Sequence, residues 1–211
     1  MEKPTIFFDM DGVLVESNDR HYDATVLALA DFGIALPPNA RELNGQGKTL
    51  KDILRHIHVP EPIIALIRKK RDEYYRKLLR DGVRWTPGAI ETLRALRKRQ
   101  PIAVITNSEW EDVLVIHEMI GIRHHVDLII APSKYKVKPK PKPYGILLAK
   151  KRLNIKKTGL FVGDQPFDIH AAHAAEELAC LYDPHHRFDS AESDADIIIH
   201  ELPELIHLLA I

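Results

Sequence analysis

Six short runs in which every position is apolar punctuate the chain: Ile6-Phe7-Phe8, Ile102-Ala103-Val104-Ile105, Leu128-Ile129-Ile130, Leu160-Phe161-Val162, Ala179-Cys180-Leu181 and Ile197-Ile198-Ile199. A strand with one wet face alternates apolar and polar residues, whereas a strand covered on both faces does not. These runs therefore read as buried strands of a parallel sheet. The longer stretches between them space their apolar residues as helices do, behind helix-opening residues: Pro87 before Gly88 to Arg99, Ser108 before Glu109 to Ile120, Pro143 before Tyr144 to Leu153, and Pro203 before Glu204 to Ile211. Strand and helix in alternation predict an α/β fold with a doubly wound, Rossmann-like parallel sheet.

One region departs from the alternation. From Glu16 to about Arg84 the pattern is helical throughout, in Arg20 to Phe32, Leu50 to Ile57 and Pro62 to Leu79, with turn residues Gly33, Pro37 and Pro38 after the first. The expected organisation is an α/β core made of residues 1–15 and 85–211, interrupted by an all-helical insertion at 16–84.

Composition narrows the class. The chain has 211 residues, 45% of them hydrophobic and 28% charged, as a soluble globular protein does. Its 30 Lys+Arg balance 30 Asp+Glu, which removes the electrostatic case for wholesale binding to nucleic acid or to an anionic membrane. Asp9 and Asp11 interrupt the N-terminal apolar stretch that a signal peptide requires, and no run reaches the ~20 apolar residues of a membrane span. Cys180 has no second cysteine to pair with, so a reducing, cytoplasmic setting is expected. The charge is nonetheless segregated: Leu128 to Gly163 contains no acid, yet it carries Lys134, Lys136, Lys138, Lys140, Lys142, Lys150, Lys151, Arg152, Lys156 and Lys157.

Candidate chemistry collects at the predicted strand ends. In an open α/β sheet, ligands bind outside the carboxyl ends of the strands. The first strand ends in Phe8-Asp9-Met10-Asp11-Gly12, two carboxylates one residue apart with a glycine to turn the chain behind them. Such a pair can divide the work of nucleophile and general acid/base. The second strand ends in Thr106-Asn107-Ser108, a hydroxyl and free amides at a helix start, which is an anion site or simply an N-cap. Lys138-Pro139-Lys140-Pro141-Lys142-Pro143-Tyr144 supplies lysines to neutralise a phosphoryl oxygen, or a solvated basic loop. Gly163-Asp164 and Asp168 follow the fourth strand. Hard oxygen donors gathered at one crevice suit Mg²⁺.

Taken in order, these four segments resemble the motifs of the haloacid dehalogenase superfamily of phosphatases: DxDG at Asp9 to Gly12, a Thr after a hydrophobic strand at Thr106, the lysine of KPxPxxY at Lys138, and GDxxxD at Gly163 to Asp168. The resemblance implies that Asp9 is the phosphoryl-accepting nucleophile and Asp11 the acid/base. It implies that Thr106, Asn107 and Lys138 bind the phosphoryl oxygens, and that Mg²⁺ is held by Asp9, Asp11 through its carbonyl, Asp164 and Asp168. It further implies that the helical insertion is a cap, with His21, Lys48 and Lys77 as candidate substrate contacts, and that the client is a small phosphorylated metabolite of the phosphoglycolate or sugar-phosphate type.

A phosphoglucomutase-like phosphotransferase and a catalytically silent binding module are the alternatives. Retention of Asp168 favours hydrolysis over the mutase pattern, while Gln165 stands where Ser or Thr is common in the family. Gly45-Gln46-Gly47-Lys48-Thr49 superficially resembles a phosphate-binding P-loop, but Glu42 occupies the position of its first glycine. The twelve histidines show no metal-site spacing with a supporting acid or cysteine cluster, and Cys180 reads as a core residue.

Overall fold

All six apolar runs are strands: β1 (Ile6–Phe8), β2 (Ile102–Ile105), β3 (Leu128–Ile130), β4 (Leu160–Gly163), β5 (Leu178–Tyr182) and β6 (Ile197–Ile199). They form one sheet in the order β3-β2-β1-β4-β5-β6, and every neighbouring pair is parallel. Parallel neighbours need crossover connections, and the helices that make them bury both sheet faces. Hence β1, β2 and β4 are buried at every position, as their unbroken apolar runs require. The computed structural model describes residues 5–38, 40, 49–188 and 193–209.

The chain divides into two units, Met1–Glu16 with Arg84–Ile211, and Ser17–Val83. The first unit holds the sheet and the helices α4 (Ala89–Arg97), α5 (Trp110–Ile120), α6 (Pro132–Tyr135), α7 (Tyr144–Arg152), α8 (Pro166–Ala174) and α9 (Glu204–Leu208). One side of its core packs Phe7, Ala103, Ile105 and Phe161 of the sheet against Ile146 and Ala149 of α7 and Ile169 and Ala172 of α8. Gly145 lets α7 lie against the sheet, because a Cβ there would fall 2.7 Å from Ile105. The apolar spacing does not announce α8, whose short run of small residues has no sustained period. Its start is chemical instead: Pro166 opens the first turn, and the Asp168 carboxylate caps it by accepting from the Gln165 amide.

In the second unit the described residues are helical, in α1 (Asn18–Ala30), α2 (Leu50–His56) and α3 (Glu61–Arg80). Ala28 and Leu29 of α1, Leu54 of α2, and Ile64 and Ile67 of α3 form its own small core. A capping box between Thr49 and Asp52 starts α2. No helix among the described residues is long and apolar enough to cross a membrane.

Candidate active site

The chain winds from β1 through β2 to β3 on one side and then crosses back from β3 to β4 on the other side of β1, so the crevice at the carboxyl ends of β1 and β4 is the topological switch point. Asp9 follows β1 directly. Its amide donates to the Val162 carbonyl at 2.8 Å, which continues the ladder, while its Oδ1 accepts from the Met10 amide at 2.7 Å. Gly12 then adopts φ +79, in the left-handed region, and the Leu14 and Val15 amides both return to the Met10 carbonyl. This tight turn holds Asp11 beside the strand end. Asp11 Oδ2 accepts from Ser108 Oγ at 2.6 Å and from Thr106 Oγ1 at 3.3 Å, which joins the end of β1 to that of β2. The Thr106 hydroxyl also accepts from the Ser108 amide at 2.9 Å.

Lys140, rather than Lys138, stands at this crevice. Its ammonium lies 2.7 Å from Asp9 Oδ1 and 2.7 Å from Asp168 Oδ1, on a side chain only 2% exposed. Asn107 fixes it from behind, since Asn107 Oδ1 accepts from the Lys140 amide at 2.8 Å and Asn107 Nδ2 donates to the Lys140 carbonyl at 3.1 Å. Lys138 is exposed, with its ammonium 5.9 Å from the Tyr144 ring centroid. The cause lies in the Lys-Pro repeat, which offers more than one register. Matching the aromatic end of KPxPxxY to Tyr144 selects Lys138, but Tyr144 is an outward residue of α7, 47% exposed. The inward residues are Gly145, Ile146 and Ala149. Moving the motif by two puts the buried Ile146 at the end of KPxPxx and Lys140 at its start.

Asp164 and Asp168 complete the cluster. Asp164 follows β4 and is buried, and its Oδ2 accepts from Gln165 Nε2 at 2.9 Å. Asp168 is fully buried in the first turn of α8, with Oδ2 accepting the Gln165 amide at 3.2 Å. Gly163 is necessary for this approach, because a Cβ there would sit 2.2 Å from that of Asp168. Asp9, Asp164 and Asp168 each offer an oxygen within 4.8 Å of the others. Arg187 flanks them: its Nη2 donates to the Asp164 carbonyl at 3.3 Å and lies 3.8 Å from the Asp164 carboxylate, and its Nε donates to the buried Asp183.

Burial dominates the electrostatics. It pushes Asp9 up to about 7, with the Lys140 charge opposing and those of Asp168 and Asp11 adding to the rise. Asp168 is pushed up to about 6 for the same reason, against Lys140 and with Asp164. Burial works against the Lys140 ammonium too, but Asp168 and Asp9 overcome it and hold its pKa above the ordinary lysine value. Among the described residues Lys140 is the only buried cation beside these three buried carboxylates, with the partly exposed Arg187 guanidinium 3.8 Å from Asp164. A hard divalent cation fits that donor set, with Asp9, Asp164 and Asp168 as the candidate ligands.

His21 lies in α1, its ring stacked on Tyr75 of α3 with centroids 3.7 Å apart, and Lys77 is exposed on α3. Lys48, with the Gly45-to-Lys48 segment, lies outside the described residues. Cys180 is buried in β5, and burial pushes its thiol up to about 12. Sequence reasoning offered Ser108 as a helix-opening residue within a strand end that could bind an anion, not as the partner of Asp11, and it missed Arg187, which follows β5 with no motif around it.

Comparison with known proteins identifies the family of the chain. The model of the haloacid dehalogenase-like hydrolase family matches residues 6–178. The chain is 33% identical over 179 residues to phosphoglycolate phosphatase of Yersinia pseudotuberculosis serotype I (strain IP32953), covering 81% of this chain and 76% of that protein. It is 30% identical over 174 residues to fructose-1-phosphate phosphatase YqaB of Escherichia coli (strain K12), covering 81% of this chain and 91% of that one. In fold it is similar to CbbY from Rhodobacter sphaeroides, solved in complex with phosphate, with a TM-score of 0.81 at 21% identity over 99% of this chain and 100% of that one. With the family model matching most of the chain, and with the motif carboxylates gathered at one sheet edge, this protein belongs to the haloacid dehalogenase-like hydrolase family.

Proposed function

We propose that the protein is a Mg²⁺-dependent phosphatase of small soluble phosphomonoesters, working through a phosphoryl-aspartate on Asp9. The observation that carries this reading is the buried Asp9 carboxylate held against Lys140, with Asp164 and Asp168 beside it. An Asp9 oxygen attacks phosphorus while the bond to the leaving oxygen breaks, and Asp11 gives that oxygen its proton. Asp11 then takes a proton from water. The water oxygen attacks phosphorus, inorganic phosphate departs, and the Asp9 carboxylate is restored. The Ser108 and Thr106 hydroxyls aim the Asp11 carboxylate for both transfers. Lys140 and the amides at the β2 end stabilise the equatorial phosphoryl oxygens, where charge concentrates in the transition state.

The divalent ion would be held by the carboxylates of Asp9 and Asp164 and the carbonyl of Asp11, with Asp168 behind them. When bound, it supplies positive charge that offsets the repulsion between an anionic nucleophile and an anionic substrate. Asp168 acts mainly by fixing the Lys140 ammonium and capping α8. The substrate class follows the named relatives, which act on phosphoglycolate and fructose 1-phosphate. The helical unit is assigned the substrate-selecting role of a cap, and a cytoplasmic setting fits the buried thiol of Cys180.

The test is hydrolysis of p-nitrophenyl phosphate with Mg²⁺ and with excess EDTA, followed by a panel of phosphorylated C2 to C6 acids and sugars ranked by kcat/KM. Turnover that requires the metal and favours one of these metabolites is expected. Metal-independent turnover, or none on any phosphomonoester, would refute the proposal.

A further inference from the structure

The acid-free run from Leu128 to Gly163 holds more cations than the crevice uses. Lys140 serves the crevice, and Lys150 pairs with the buried Glu177. Lys134 and Arg152 instead converge, together with Arg123, on two aromatic rings beside β3, an edge strand of the sheet. The Lys134 ammonium lies 3.4 Å from the Trp110 ring centroid, with the Arg123 guanidinium 5.6 Å from the same ring. Lys134 also lies 5.4 Å from the Tyr135 ring, which Arg152 approaches at 4.8 Å. Lys134 is therefore the middle of three cations strung across two rings.

Of these groups, Trp110, Arg123, Lys134 and Tyr135 line a cleft of about 330 Å³, together with His117 and His124. Asp127, the acid in the lining, is already engaged by the Arg97 guanidinium and the Ile102 amide. Among the described residues, none of Arg123, Lys134 and Arg152 forms an ion pair with a carboxylate. Burial, followed by the Arg123 and Arg152 charges, lowers the Lys134 pKa, so the cluster is repulsive as it stands. Cations over ring faces are modestly favourable and help to guard a sheet edge from pairing. Neither effect requires two of them to share one cleft with a third on the ring of Tyr135 in its wall. A bound anion relieves that repulsion, and an anion with two charged centres meets the strung geometry better than a single phosphate does.

We infer that this cleft binds a compact polyanion of linked phosphate groups, at a site separate from the Asp9 crevice. Inorganic pyrophosphate is the probe, in EDTA at low ionic strength so that neither metal complexation nor turnover intervenes. Trp85→Phe leaves Trp110 as the sole tryptophan of the chain, directly under Lys134. Pyrophosphate is expected to change its fluorescence saturably, with the affinity falling as salt is raised. Adding Lys134→Ala and Arg123→Ala should weaken the response about tenfold or more, equivalent to ~1.4 kcal/mol. Mg²⁺-dependent hydrolysis by that variant should stay within about twofold of the parent, which also reports that it folds. Three results overturn the inference: a Trp110 signal blind to pyrophosphate, an unchanged affinity in the double variant, or tighter binding of a single-stranded oligonucleotide than of pyrophosphate.

Discussion

Two charged regions of the same unit are built on opposite terms. The crevice at the end of β1 buries its charges, three carboxylates around one ammonium, inside a frame of strand ends and caps. The cleft beside β3 leaves its cations largely in water, resting on aromatic rings. Buried charges are costly unless partnered, so the first region is sensitive to pH and bound up with the fold as a whole, and the proposed metal would partner its carboxylates. Exposed charges are screened and adjustable, so the second is sensitive to salt and indifferent to stability. On the functions proposed, the first region serves covalent chemistry and the second reversible capture.

That contrast breaks most visibly at Asp9. Asp9→Asn is expected to lower kcat by on the order of 10³-fold or more, because it removes the nucleophile. Activity within an order of magnitude of the parent would mean that burial at this position serves structure alone.

A lysine pair gives the next effect in size. Lys140→Ala should cost ~10²–10³-fold in kcat, the value of a transition-state electrostatic contact, while Lys138→Ala stays within about twofold. Steady-state kinetics of the two variants separate the buried lysine from its exposed neighbour, and equal losses would erase the distinction.

Stability should depend on pH in the direction that the buried carboxylates set. The folded chain raises Asp9 to about 7 and Asp168 to about 6, above the ordinary 3.8. Between those limits the folded state binds more protons than the unfolded state, so stability falls as pH rises from about 4 to 7. In EDTA, thermal melts should decline across that window. Mg²⁺ should flatten the decline, and Asp9→Asn should raise Tm near pH 7 by about 2–4 °C, the shift that ~1 kcal/mol produces in a chain of this size. A metal-free melting temperature that climbs over the same window would contradict these raised values.

The smallest effect belongs to Ser108. Losing its hydrogen bond to Asp11 in Ser108→Ala should reduce kcat about three- to tenfold, for a bond worth ~1 kcal/mol, with KM nearly constant. A rise in KM alone would assign Ser108 to substrate binding instead.

What the sequence disclosed divides along physical lines. Strands buried on both faces write themselves as unbroken apolar runs, so all six were legible, and with them the edge that carries Asp9, Asp11, Thr106, Asp164 and Asp168. Lys140 was misread because Lys-Pro-Lys-Pro-Lys-Pro has no register of its own. The register comes from which residues of α7 face the core, and the exposed Tyr144 imitated the inward position that Ile146 holds. Ser108 looked like one more helix-opening hydroxyl, since its bond to Asp11 spans 97 positions of chain. Arg187 reaches Asp164 only through the parallel pairing of β4 with β5, which local spacing does not encode. The cationic cleft was visible as an acid-free run, but its convergence on Trp110 and Tyr135 needed the fold.

The central claim, that Asp9 takes the phosphoryl group, is tested most directly by acid-quenching the enzyme during turnover of a radiolabelled phosphomonoester in Mg²⁺ and locating the label by peptide mapping. The account predicts a hydroxylamine-sensitive label on the peptide containing Asp9, formed before free phosphate and missing from Asp9→Asn. Label on a different residue, or phosphate released by Asp9→Asn at the parental rate, would contradict it.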